Sequence, residues 1–106
     1  MDGAMPDDEV RDAVDKVADP NRLLEGEDPE TTDAREALRW LSAYAELLEF
    51  KQNVVGEAEA SAGELSQRAQ QEAEADLTLL NAERERLKQR YAFWKARVVE
   101  LSERRA

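Results

Sequence analysis

The C-terminal part of the chain repeats apolar residues at alternating spacings of four and three. A repeat of seven keeps one narrow stripe of a helix facing a neighbouring helix. The pattern therefore predicts a long helix over about residues 64–104 that packs against another helix, with only Arg84 interrupting the apolar seam. The seam positions are Ala73, Leu77, Leu80, Arg84, Leu87, Tyr91, Trp94, Val98 and Leu101.

A second helical pattern covers about residues 31–60, where the large apolar positions come in adjacent pairs. Adjacent apolar residues make the apolar face of the helix broader than packing against a single helix requires. The pattern therefore favours a helix that packs against two neighbours. Pro29 lies where a helix can begin, and Thr31, Thr32 and Asp33 are suited to cap it. The pairs are Ala37-Leu38, Trp40-Leu41, Tyr44-Ala45, Leu47-Leu48 and Val54-Val55.

The residues before these two patterns predict a short helix and a connector. From about residue 7 to residue 18, valines at helical spacing share one face and acids occupy the first turn. Asp19-Pro20 ends this helix because the residue before a proline disfavours the helical conformation. Residues 19–30 then form a connector whose apolar anchor is Leu23-Leu24.

Two architectures are compatible with the glycine-containing stretch between the long patterns. A turn near Ser61–Gly63 makes an antiparallel hairpin, with Gly63 just past the end of the first long helix. Glycine within a helix costs only about 1 kcal/mol relative to alanine. An unbroken helix from Thr32 to Glu103, paired in an antiparallel dimer, therefore stays open as the second architecture. A hairpin arm would measure about 60 Å, whereas the unbroken helix would exceed about 100 Å.

The distribution of charge favours the hairpin. Residues 1–83 hold 7 Lys/Arg against 22 Asp/Glu, whereas residues 84–106 hold 8 against 3. Folding back near residue 62 places position 87 beside position 38 and position 94 beside position 31, so the basic tail flanks the acidic connector. We therefore predict an all-α fold in one helical domain (residues 1–106). It is a three-helix arrangement, in which a short N-terminal helix accompanies a long, coiled-coil-like antiparallel hairpin. We expect this domain to dimerise into a bundle.

The chain lacks the side chains that most enzymes use. It contains neither histidine nor cysteine, which removes the commonest general base, thiol catalysis, disulfides and most transition-metal sites. None of its glycines belongs to a phosphate-binding pattern. Its carboxylates between residues 57 and 76 lie in the most polar stretch, whereas di-iron bundles place carboxylates and histidines in an apolar core. The sequence predicts a non-enzymatic protein with no catalytic residue, cofactor or metal site.

The net charge of −10 argues against general affinity for nucleic acid or for anionic membranes. No apolar run approaches the roughly 18 residues needed to span a bilayer. The acidic N-terminus does not resemble a secretory signal. We therefore expect a soluble, cytoplasmic protein without membrane contact, for which nucleic acid is an unlikely partner.

Two functional interpretations remain open. The first is a non-enzymatic protein–protein interaction module, a helical hairpin scaffold or regulatory adaptor that acts as a homodimer or other homo-oligomer. The second is a dimeric regulator that binds a small ligand or nucleic acid through basic residues of the C-terminal helix, namely Arg84, Lys88, Arg90 and Arg97. The candidate core or interface residues are Trp40, Tyr44, Leu47, Leu48, Val54, Val55, Leu77, Leu80, Leu87, Tyr91, Phe93, Trp94, Val98 and Val99. Phe93 and Val99 fall off the seam, which favours contact with a third helix or another subunit.

Overall fold

The computed structural model describes residues 12, 14–16, 18, 19 and 21–105, with Arg105 described by its backbone alone. Two long helices dominate this part of the chain, α1 (Ala34–Ala62) and α2 (Gln67–Arg105), and they pack against each other as an antiparallel pair. The principal extents are 60 × 27 × 17 Å, which fits a hairpin arm and not an unbroken helix of more than about 100 Å. The predicted all-α helical hairpin is confirmed.

Hydrogen bonds between residues close in sequence cap the N-terminus of α1. The Asp33 carboxylate accepts from the backbone N–H of Arg35 at 2.9 Å. The Thr31 hydroxyl accepts from the N–H of Asp33 at 3.2 Å and donates to the Glu36 carboxylate at 2.9 Å. These bonds satisfy N–H groups that have no partner within the helix, which explains why the helix starts here. It begins three residues later than predicted.

The turn between the helices lies where the sequence places it. Gly63 ends α1 with φ −67° and ψ −16°, so this glycine is right-handed and does not form a left-handed cap. Ser66 opens α2, because its hydroxyl accepts from the N–H of Ala69 at 3.3 Å and its carbonyl accepts from Gln70 at 2.8 Å. The loop therefore spans residues 63–66, and α2 starts three residues later than predicted.

The apolar core lies in the half of the hairpin that is remote from the loop, which we call the base half. Trp40 stacks on Trp94 with ring centroids 6.5 Å apart and an interplanar angle of 25°. Nearer the loop, Val55 is fully buried but lies outside this cluster. The buried members of the cluster are Ala37, Tyr44, Leu87, Trp94 and Leu101.

The alignment of the two helices differs from the predicted one. Trp94 lies beside Trp40 and Glu83 pairs with Lys51 at 3.2 Å, whereas the sequence analysis placed position 94 beside position 31. The predicted alignment is wrong because the loop is centred beyond residue 62 and the two helices meet with an axial offset. Position 31 belongs to the connector, which folds back along α2 instead of extending α1.

The predicted N-terminal helix is described only in part. Its described members Asp12, Val14, Asp15, Lys16 and Ala18 are helical, and Val14 and Ala18 are half-buried. The rest of the prediction for residues 7–18 lies outside the described residues.

Candidate interaction surface

A tight turn in the connector directs one acidic side chain into the hairpin. The N–H of Glu27 donates to the carbonyl of Leu24 at 3.0 Å, and Gly26 within this turn has a φ of +84°. A positive φ at the third position of a turn favours glycine, because a Cβ there meets the backbone. The Glu27 carboxylate in turn accepts from the N–H of Leu24 at 2.9 Å. The turn and the carboxylate therefore hold each other in place.

The Glu27 carboxylate is enclosed between α1 and α2. Its side chain has no exposed surface, and it forms a salt bridge with Arg90. It also accepts hydrogen bonds from the Tyr44 hydroxyl and from Nε1 of Trp94, the latter at 2.8 Å. The Arg90 guanidinium lies 4.5 Å from the centroid of the Phe93 ring. A buried charge is tolerated only when it is paired and hydrogen-bonded, as this one is.

The protonation states of this cluster suit a structural role. Burial alone raises the pKa of Glu27, but hydrogen bonds from Tyr44, the Leu24 N–H, Arg90 and Trp94 outweigh burial and lower that pKa below its usual value. The pKa of Tyr44 is raised, first by burial and then by the neighbouring carboxylate. At neutral pH Glu27 is therefore ionised and Tyr44 keeps its proton, so neither group is poised to exchange a proton.

Three arginines on one face of α2 fasten the connector, and we call them the arginine row: Arg86, Arg90 and Arg97. Besides the Arg90 salt bridge, Nη1 of Arg86 donates to the carbonyl of Arg22 at 3.4 Å. Nη2 of Arg97 donates to the carbonyl of Thr31 at 2.8 Å. The basic tail therefore lies along the connector, but of these three contacts only the Glu27–Arg90 pair joins a basic side chain to a connector acid, and the other two are to backbone carbonyls.

The four basic residues predicted to bind a ligand do not form one patch. Arg90 and Arg97 face the connector. Lys88 pairs at 3.2 Å with Glu85 on the exposed surface. Arg84 is half-buried, and its Nε is buried without a hydrogen-bond partner in the described part of the chain. Residues 84 and 88 share one helical face, because residues four apart lie one above the other. Arg86 and Arg90 are each two residues further along, so the arginine row lies on nearly the opposite face.

A row of apolar residues on α1 is only partly covered. We call it the α1 stripe: Trp40, Ala43, Leu47, Phe50 and Val54. Its spacings are three, four, three and four, so the five side chains share one face of the helix. Phe50 is 63% exposed and Leu47 is 37% exposed, while the other three are half-buried. The stripe extends for about 21 Å along the helix.

Other exposed apolar residues lack this regularity. Leu38 is 52% exposed, but no exposed apolar residue lies three or four positions away from it along α1. It lies in a surface hollow whose other lining residues are Arg35, Arg39, Ser42, Ala43 and Glu46. Isolated apolar residues on a surface are ordinary, whereas a continuous apolar row on a helix is typical of a surface that binds another helix. The α1 stripe is therefore the candidate interaction surface.

The predicted core or interface residues divide by exposure. Leu47, Phe93 and Val99 are exposed, the last two in keeping with their position off the seam. The fully or nearly fully buried members are Tyr44, Val55, Leu87 and Trp94. The half-buried members are Trp40, Leu48, Val54, Leu77, Leu80, Tyr91 and Val98.

Sequence reasoning missed two residues that shape this region. Phe50 is flanked by Glu49 and Lys51, so it belongs to none of the apolar pairs, yet its spacing from Leu47 and Val54 was a signal that was available. Glu27 carried no signal of its own among the connector acids, because its side-chain partners Tyr44, Arg90 and Trp94 lie far away in the sequence.

Other kinds of site find no support in the described residues. Within them, no group of three acidic side chains is arranged to hold a metal ion. None of the described helices combines the length and the apolar character needed to cross a membrane.

Comparison with known proteins yields no matching family model, no similar curated protein and no similar solved structure.

Proposed function

We propose that this protein is a non-enzymatic protein–protein interaction module, a helical scaffold or regulatory adaptor that acts as a homo-oligomer and binds through the α1 stripe. The observation that carries the proposal is the exposure of Phe50 and Leu47 within a row of helical spacing. Burying such side chains in an interface stabilises it by about 25 cal/mol for each Å² of apolar surface removed from water. A second hairpin or another helix can supply that cover.

The absence of reactive groups supports the same proposal. The sequence offers no histidine or cysteine. Among the described residues Glu27 is the one buried carboxylate, and it has partners on both oxygens and a lowered pKa. A general acid or base needs a proton that it can exchange near the working pH. The most unusual polar cluster of the hairpin therefore serves to fix the connector.

The ligand-binding alternative has weaker support. It requires basic residues that are available to an anion, and Arg90 and Arg97 instead contact Glu27 and the carbonyl of Thr31. Lys88 is exposed but lies beside an acid. The interaction module is therefore the function that the contacts of these residues support better.

The experiment that tests this proposal compares two exposed positions of α1. Phe50→Glu places a charge in the stripe, and Leu38→Glu places one at a similarly exposed residue off the stripe. Light scattering coupled to gel filtration is expected to give a multiple of 12.0 kDa for the wild type and for Leu38→Glu. Phe50→Glu is expected to approach the monomer mass with an unchanged helical circular dichroism spectrum. An unchanged mass for Phe50→Glu would refute the proposed surface.

A further inference from the structure

The order of side-chain sizes along the α1 stripe distinguishes two ways of pairing it with itself. Phe50 follows Leu47 by three residues, and the small Ala43 precedes Leu47 by four. Two antiparallel stripes centred near Leu47 therefore bring Phe50 of each copy toward Ala43 and Leu47 of the other. Parallel stripes would instead oppose Phe50 to Phe50 and leave a void between two alanines. Close packing favours the antiparallel pairing, because protein interfaces tolerate few voids.

A hollow lies at the Ala43 end of the stripe. It has a volume of about 400 Å³, and its lining residues are Gly26, Glu36, Arg39, Trp40 and Ala43. Part of its wall is the connector turn that the Glu27 carboxylate holds in place. In the antiparallel arrangement, the protruding Phe50 ring of a second copy approaches this hollow. A knob and a recess on the same surface are what a self-complementary interface needs.

Charges on one flank of the stripe favour the same direction. Arg39 and Glu57 are both exposed, and they lie respectively eight residues before and ten residues after Leu47. Antiparallel pairing brings Arg39 of one copy near Glu57 of the other, and the twofold axis repeats that pair. Parallel pairing would place this flank of the two copies on opposite sides of the interface, so that Arg39 of one copy could not reach Glu57 of the other. Flanking charges of this kind select the orientation of paired helices.

We propose that two copies of this chain associate through the α1 stripe as an antiparallel, twofold-symmetric four-helix bundle, with the axis beside Leu47. This inference rests on the function proposed above, and it adds the direction and the alignment of the pairing. Arg39 and Glu57 lie at the two ends of the interface. The same surface is used by both copies, so the assembly closes at two and does not extend into a fibre.

Charge reversal tests the orientation with the full-length chain. Arg39→Glu and Glu57→Arg are each expected to raise the dimer dissociation constant by about tenfold at low salt, because two attractive pairs become repulsive. The double variant restores opposite charges and is expected to return within about twofold of the wild type, as measured by sedimentation equilibrium. Single variants without effect, or a double variant as weak as the single ones, would overturn the antiparallel alignment.

A distance measurement gives a second, independent reading. The chain has no cysteine, so Ala60→Cys provides a unique site for a nitroxide label on the exposed surface near the loop. Antiparallel pairing about Leu47 places the two labels about 40 Å apart, given 1.5 Å of rise for each residue. Parallel pairing would place them within about 20 Å. A dominant short distance in pulsed electron paramagnetic resonance would overturn the proposal.

The outcomes separate this inference from the proposed function. If Phe50→Glu dissociates the oligomer but the two nitroxide labels at position 60 are close together, the antiparallel pairing is wrong and the α1 stripe remains supported as the binding surface. If Phe50→Glu leaves the oligomer intact, the proposed surface itself is wrong. A wild type that stays monomeric at about 100 μM, well above the range of ordinary stable dimers, would overturn both.

Discussion

The two halves of the hairpin are held together by different means. In the base half, Tyr44, Trp94 and Leu101 form an apolar cluster, and the buried Glu27–Arg90 pair adds a polar contact at its centre. In the loop half, Val55 is the fully buried large residue, and the ion pair between Lys51 and Glu83 is partly exposed. The base half therefore fixes the alignment of the helices. The loop half has few buried contacts of its own, so its two helical segments stay paired mainly because they continue from the base half.

The buried polar contact of the base half allows a slender hairpin to specify a single alignment of its helices. Apolar seams alone tolerate sliding, because one heptad resembles the next. A buried carboxylate with donors from Tyr44, Arg90 and Trp94 does not, because any shift leaves charged or polar groups unpaired. The loop half contains no comparable polar contact among its described residues. We therefore expect changes in the base half to have the larger effects.

Removing the central carboxylate should have the largest effect on stability. Glu27→Ala leaves the Arg90 guanidinium and three further donors without their acceptor, a kind of change that costs about 3–5 kcal/mol. The measurement is the free energy of unfolding from urea titration at fixed protein concentration. Glu25→Ala, an exposed connector acid, is the control and should stay within about 0.5 kcal/mol of the wild type. Equal effects of the two variants would show that the connector acids act only through general charge.

Acid should weaken the base half through the same residue. The pKa of Glu27 is lower in the folded chain than its usual value of 4.5. The contribution of Glu27 to the free energy of unfolding is therefore fully present above pH 4.5 and is lost as the pH falls through the folded pKa. Urea midpoints of the wild type and of Glu27→Gln, taken from pH 7 to pH 3, measure this contribution. The wild type should lose more stability than the variant over this range, because a protonated Glu27 resembles glutamine. A constant difference between the two proteins would contradict the lowered pKa.

The base half also shows which parts of the structure could be predicted from the sequence. Leu87, Trp94 and Leu101 lie on a local repeat, so their burial against another helix follows from spacing alone. The association of the basic tail with the acidic connector follows from the asymmetry of charge. The particular choice of Glu27 does not, because its partners lie 17, 63 and 67 residues away and depend on the final alignment.

The candidate surface could be predicted only in part, for a related reason. The apolar pairs of α1 correctly indicate a broad face, and Leu47 and Val54 belong to it. Which edge of that face stays uncovered depends on the path of the connector, whose turn at Gly26 lies beside Trp40. Local spacing does not specify that path. The spacing of Phe50 from Leu47 and Val54 could have placed it on this face, but its exposure follows only from the folded hairpin.

Straining the connector turn should have a smaller effect. Gly26→Ala introduces a Cβ at a φ of +84°, a conformation that costs an L-residue about 1–2 kcal/mol. Outside Gly26 and its two chain neighbours, no atom lies within 4 Å of the added carbon, so the expected loss of unfolding free energy reflects local backbone strain and not a clash with the rest of the hairpin. Gly26→Asn should lose less than the alanine variant, because asparagine adopts this conformation more readily. Equal losses, measured by urea titration, would indicate that the turn relaxes in both variants.

The smallest expected change is a gain, and it lies in the loop half. Gly56 is exposed within α1, and beyond its chain neighbours and the adjacent backbone of its own helix a Cβ there would meet no atom within 4 Å. Gly56→Ala should therefore raise helix stability by about 0.5–1 kcal/mol through the unfolded state. If the loop half opens on its own, as its sparse core suggests, amide exchange should slow locally near residue 56 while the global urea midpoint gains less than the full amount. A full gain in the global midpoint with no local slowing would show that both halves unfold as one cooperative unit.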